Sequence, residues 1–233
     1  MKKGFSLKKV LILATILAVP ALAYYLLQEK GKNRYRPLSI FGPKIPASSF
    51  HFKKGRKIPD TIYHVVHDFK LLNQDSQTTS FPSDSNRLSV VAFFYTRCSR
   101  TCSQINKRMS DVFRVYKKNK LIKFFSITVD PSFDTPAVLK EYAGQYRAQS
   151  GKWIFLTGEE ATIYNLVKED FLLDTFRDTS QKNNIIHSSM LVLLDPNKRI
   201  RGYYDSLDKE QVDRLIDEIR VLIAEELRQT KRY

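Results

Sequence analysis

Cysteine is almost missing from this chain of 233 residues, in which Cys98 and Cys102 are the only two. That excludes a disulfide scaffold, which uses many cysteines in place of a core. Internal repeats and low-complexity tracts are missing too, so repeat architectures drop out. Acid is scarce: 24 Asp and Glu face 39 Lys and Arg, a formal charge of +15, and +11 remains once Lys2, Lys3, Lys8 and Lys9 are set aside. The basic residues are scattered through every segment rather than gathered into an arm or a reading motif, which argues against nucleic acid and for plain solvation. Lys30, Lys32, Arg34 and Arg36 are the exception, since near anionic headgroups each charge is worth about 1 kcal/mol. What is present is 42% apolar and 12% aromatic content, enough for one sizeable core.

The appendage to that core is N-terminal. From Val10 to Leu27, 18 residues carry no charge, about 27 Å of helix and close to the hydrocarbon thickness of a bilayer. Ala21-Leu22-Ala23 would suit signal cleavage, yet the apolar run continues through Tyr24, Tyr25, Leu26 and Leu27, so residues 1–27 are expected to be a retained transmembrane anchor. Basic residues nearly balance across the span, but long domains translocate largely regardless of charge. The expected layout is a single-pass protein of the cell inner membrane whose domain faces the periplasm or another extracytoplasmic side. Residues 28–57, basic and interrupted by Pro37, Pro43 and Pro46, are expected to be a tether; the domain is expected over 58–228 and a tail over 229–233.

Inside the domain, strand and helix signals alternate. Leu88–Tyr95 is a strand-length apolar run, followed by Ile105, Met109, Val112, Phe113 and Tyr116 at helical spacing. Leu121–Val129 is a second strand, and Thr135-Pro136 supplies an N-cap with proline at the first helical position of a helix expected to reach about Gln149. Trp153–Leu156 is a third strand, and Thr157-Gly158-Glu159-Glu160 has the form of a capping box opening a helix to about Glu169. Met190–Leu194 and Arg199–Tyr204 flank the turn Asp195–Lys198, and a last helix carries Val212, Leu215, Ile216, Ile219 and Ile223 on one face. This order predicts an α/β fold with a central mixed sheet flanked by helices, of thioredoxin-like type.

Cys98 and Cys102 follow the first long strand, beyond whose carboxyl end α/β sheets carry their functional loops. A spacing of four puts both sulfurs on one face if helix begins near Cys98. Arg97, Arg100 and a helix N-terminus favour thiolate, making a redox-active dithiol. The competing reading is a disulfide staple, worth only about 2 kcal/mol across so small a loop. Among four histidines, His187 is best placed as a third ligand because it directly precedes the hairpin strand; a hydrogen-bonded loop histidine is the alternative. His51, His64 and His67 are expected to be solvated, with the last two spaced to assist metal entry. Phe93, Phe94, Phe124 and Phe125 are expected to be buried strand residues.

The combination resembles the SCO/SenC family: Phe94-Tyr95-Thr96-Arg97-Cys98-Ser99-Arg100-Thr101-Cys102, then Thr128-Val129-Asp130-Pro131-Ser132-Phe133-Asp134-Thr135-Pro136, then His187-Ser188-Ser189 leading to Leu194-Asp195-Pro196 and Arg201-Gly202-Tyr203-Tyr204-Asp205. Ser99, Ser103 and Ile186 depart from the proline, proline and aspartate common in the family, without removing a ligand atom. The resemblance implies copper bound by Cys98, Cys102 and His187, as Cu(I) or alternatively Cu(II), with Asp130 tuning the thiols or capping its turn. It implies a metallochaperone rather than an enzyme, delivering copper to the copper-binding subunit of a terminal oxidase during cytochrome c oxidase assembly. A thiol reductase or another copper chaperone would be further partners. The alternatives are a thiol-disulfide oxidoreductase acting on the client's cysteines and a redox or copper sensor.

Overall fold

The computed structural model describes residues 7–30, 37–53, 55–81, 87–98, 101–178 and 184–230. They divide into two units, the first ending at Arg36 and the second beginning at Pro37. In the first, α1 (Leu7–Lys30) is a 24-residue helix with Pro20 inside it. Among the described residues no helix is long and apolar enough to cross a membrane. The expected span from Val10 to Leu27 runs, at both ends, into side chains outside the described residues, because the continuous described run covers 11–25.

The second unit is built on a seven-stranded sheet. Its strands are β3 (Phe69–Asn73), β4 (Thr78–Phe81), β5 (Leu88–Phe94), β6 (Ile122–Thr128), β7 (Trp153–Thr157), β10 (Met190–Leu194) and β11 (Ile200–Asp205), in the spatial order β11-β10-β5-β6-β7-β3-β4. β5, β6 and β7 pair in parallel, while β10 and β3 flank them antiparallel, so the sheet is mixed as expected. The three parallel strands are largely apolar because both faces are covered. On one face α2 (Thr101–Tyr116) and α3 (Pro136–Gln145) meet Phe94, Phe124 and Trp153. On the other, Phe171 and Phe81 pack edge-on against Phe93 and Phe125. A buried chain of hydrogen bonds, Trp153 Nε1 to Ser126 Oγ at 3.0 Å and Ser126 Oγ to Asn106 Oδ1 at 2.8 Å, ties α2 to the sheet. α5 (Lys209–Thr230) closes the unit, with Val212, Leu215, Ile219 and Leu222 buried.

Three local expectations are corrected. The stretch read as a tether contains β1 (Lys44–Lys53), which pairs with β2 (Arg56–Tyr63) as a separate two-stranded sheet turned at Gly55, φ +76°. The capping box does not form: Thr157 belongs to β7, opposite Leu72, and Glu159 stands at the N-cap of α4 (Glu160–Asn165) with its carboxylate accepting from the Thr162 hydroxyl at 3.3 Å and not from a helix N–H. That helix passes into a π-helical turn, Leu166–Asp170. The Thr135 cap does form, Thr135 Oγ1 accepting from Val138 N, although α3 stops at Gln145 rather than Gln149.

A further hairpin was not anticipated. β8 (Thr175–Asp178) pairs with β9 (Asn184–His187) in a small sheet, with Thr175 opposite His187.

Candidate metal centre

Cys98 sits four residues past the end of β5, half-buried and packed against the core, in a turn closed by its N–H on Tyr95 O at 3.4 Å. Cys102 occupies the second position of α2, whose first turn holds no acid. Ser99 and Arg100, and the side chain of Cys102, lie outside the described residues. The loop therefore runs from a strand terminus into a helix N-terminus, where unpaired backbone N–H groups favour thiolate.

Two aspartates from the loop after β6 hold this turn. Asp134 is fully buried and accepts from Thr96 N at 3.0 Å, from Thr96 Oγ1, and from Thr128 Oγ1 at 2.5 Å. Asp130, 1% exposed, accepts from Arg97 Nη2 at 2.6 Å, Arg97 Nε at 3.1 Å and Ser132 Oγ at 3.1 Å. The guanidinium of Arg97 also lies over the Phe133 ring, 4.3 Å from its centroid. This changes the electrostatic expectation. Arg97 is directed at Asp130, so its charge is largely matched before it reaches Cys98, and Asp130 acts on the cysteine loop through Arg97. Asp134, in the quoted motif but given no role by the sequence, is the residue that pins the backbone two positions before Cys98.

Burial pushes the Asp134 carboxyl above its ordinary value of 3.8, although its hydroxyl and amide donors pull the other way. The folded chain thus holds this proton more tightly than the unfolded one. Asp134 contributes stability below pH 3.8 that is lost as pH rises through the raised folded value. An Asp134→Asn variant, fixed in a neutral form, is expected to gain relative to wild type as pH climbs through that window. Urea midpoints at stepped pH would show it; a difference that stays flat or shrinks contradicts the assignment.

His187 ends β9, and its side chain lies outside the described residues. Its backbone is nonetheless confined. Leu191, four residues on, pairs with Ala92 of β5 antiparallel, so the approach to β10 lies at the carboxyl end of β5, the end from which Cys98 leaves. Among the described residues no three His, Cys, Asp or Glu side chains form a group that could hold a metal. The other histidines have structural partners: His51 Nδ1 meets Asp60 Oδ1 at 2.7 Å, His64 Nε2 meets Asp170 O at 2.7 Å and His67 Nδ1 meets Asp170 Oδ1 at 2.7 Å. His64 and His67 thus tie the approach to β3 onto the π-helical turn, and His64 is part-buried rather than solvated.

Fold and loop together define a thioredoxin-like domain with a cysteine pair at the carboxyl edge of its first long parallel strand. Residues 59–224 match the SCO1/SenC family model. An SCO1 protein homolog of Bacillus subtilis is 26% identical over 171 residues, 71% of this chain and 86% of its own. The solved structure of BsSco, a member of the Sco family of cytochrome c oxidase assembly proteins, aligns at TM-score 0.59 and 25% identity over 67% of this chain and 92% of its own. Copper-bound ScoI of Bradyrhizobium japonicum aligns at TM-score 0.55 and 21% identity, over 65% and 97%. The chain belongs to the SCO1/SenC family.

Proposed function

We propose that this protein carries copper on Cys98, Cys102 and His187 and passes Cu(I) to the copper-binding subunit of a terminal oxidase during cytochrome c oxidase assembly, held to the membrane by α1 with its domain on the extracytoplasmic side. The observation that carries the reading is the occupation of the loop's acids. Asp130 is engaged by Arg97 and Ser132, and Asp134 by Thr96 and Thr128. On this reading the donors are the sulfurs of Cys98 and Cys102 and the imidazole of His187, a set that suits Cu(I) and serves hard cations poorly. Family membership and the copper found in ScoI of Bradyrhizobium japonicum support the same cargo. Two thiolates and one imidazole make a low-coordinate site from which a client's thiolates can displace the ion stepwise.

The disulfide switch described for BsSco favours a second reading, in which the same dithiol reduces the client's cysteines before metallation. In that reaction a client disulfide gains two electrons while Cys98 and Cys102 form the new S–S bond and give up their protons. Titrating the reduced chain with Cu(I) against a competing chelator, then measuring its dithiol potential, separates the two. Tight binding of one copper per chain, lost in Cys98→Ser, is expected. Rapid dithiol cycling without copper affinity would transfer the role to the reductase.

A further inference from the structure

Among the described residues the β1–β2 hairpin is a two-stranded sheet that pairs with no other strand. An isolated two-stranded hairpin is marginal in water, and most described residues of this one are exposed. Phe50 and Phe52, two residues apart and so on one face, are 46% and 69% exposed and pack edge-on with centroids 5.7 Å apart. On the opposite face Ile45 and Ile62 stand cross-strand, 60% and 56% exposed. Apolar surface gathered on one projecting element marks a contact surface.

The charge of the hairpin says what it contacts. Between residues 44 and 63 stand Lys44, Lys53, Lys54, Arg56 and Lys57 against one acid, Asp60, which is engaged by His51. Lys57 Nζ lies 3.6 Å from the centroid of the Phe50 ring, so cation and aromatic are presented together. A dry protein groove would have to desolvate these cations, whereas a headgroup layer takes rings at its apolar boundary and pairs lysine and arginine with phosphate. In sequence, only residues 31–36 stand between α1 and Pro37.

We propose that the β1–β2 hairpin is a lipid-contacting element that lays its Phe50–Phe52 face into the headgroup layer of an anionic membrane. It is independent of the copper site and shares with the proposed anchor only the membrane. With it, the domain would meet the bilayer through its own surface as well as through the proposed anchor.

The test uses the full chain carrying Phe52→Trp, read against wild type, whose single tryptophan, Trp153, is fully buried. In vesicles of phosphatidylcholine and phosphatidylglycerol with bromine high on the acyl chains, the added indole is expected to emit to the blue and be quenched. Arg56→Gln with Lys57→Gln should reduce that quenching, each lost charge weakening attachment about fivefold. Unquenched, water-like emission overturns the proposal. So does a blue shift that ignores bromine and grows with protein density, which would mean that a second copy covers the face. Phe50→Trp repeats the reading should Phe52→Trp misfold. Resistance to alkaline extraction reports on α1 separately; if the anchor fails there, chain added to the same vesicles from solution should still show the quenching.

Discussion

Arg201→Ala is expected to lower the unfolding free energy by about 3–5 kcal/mol, the range for breaking a buried ion pair from one side. The Arg201 side chain is 1% exposed and serves several partners at once. Nη1 lies 3.2 Å from Asp195 Oδ2, Nη2 donates to Glu225 Oε2 at 2.9 Å and to Leu38 O at 2.8 Å, and Nε donates to Ser39 O at 3.3 Å. Truncation removes this partner from Glu225 and from the Leu38 and Ser39 carbonyls, while Asp195 keeps Arg199 at 2.7 Å. Arg201→Lys should recover only part of the loss, because an ammonium cannot span this fork. Because Leu38 and Ser39 lead into the β1–β2 hairpin, faster amide exchange at Phe41, whose N–H bonds Ile200 O at 2.9 Å, should accompany the loss. Denaturant unfolding decides it: a loss within the ~0.5 kcal/mol of an ordinary surface substitution would contradict this role.

His187→Ala is expected to weaken Cu(I) binding by more than about 100-fold, since removing even a neighbour of a metal ligand costs 10–100-fold. Stability should change little, because among the described residues β9 pairs only with β8. Loss of copper together with an unchanged unfolding midpoint is the result that assigns the imidazole to the ion. Unchanged affinity would leave a two-sulfur site and remove His187 from the account.

The strands that build the centre of the sheet were legible because β5, β6 and β7 are buried on both faces and so are rich in apolar residues at strand length. The start of α3 was legible because Thr135-Pro136 carries its own cap chemistry. The β1–β2 hairpin was not. It has no buried face to impose alternation, and Pro46 and Pro59 inside its strands resemble a tether, being tolerated only because both are edges. The capping box failed for a related reason: Thr157 had a better use in the β7 ladder than at a helix end.

At the site, Cys98 was placed by the strand that precedes it. The pairing of Arg97 with Asp130 and the grip of Asp134 on Thr96 depend on two loops meeting 33 and 38 residues apart, which no local pattern encodes.

The most direct test of copper on two sulfurs and one imidazole is X-ray absorption at the copper edge on the Cu(I)-loaded full chain. The account predicts two sulfur scatterers at thiolate distance and one nitrogen with the outer-shell signature of an imidazole ring, the nitrogen vanishing in His187→Ala. A shell of sulfur alone, or of oxygen and nitrogen without sulfur, would contradict it.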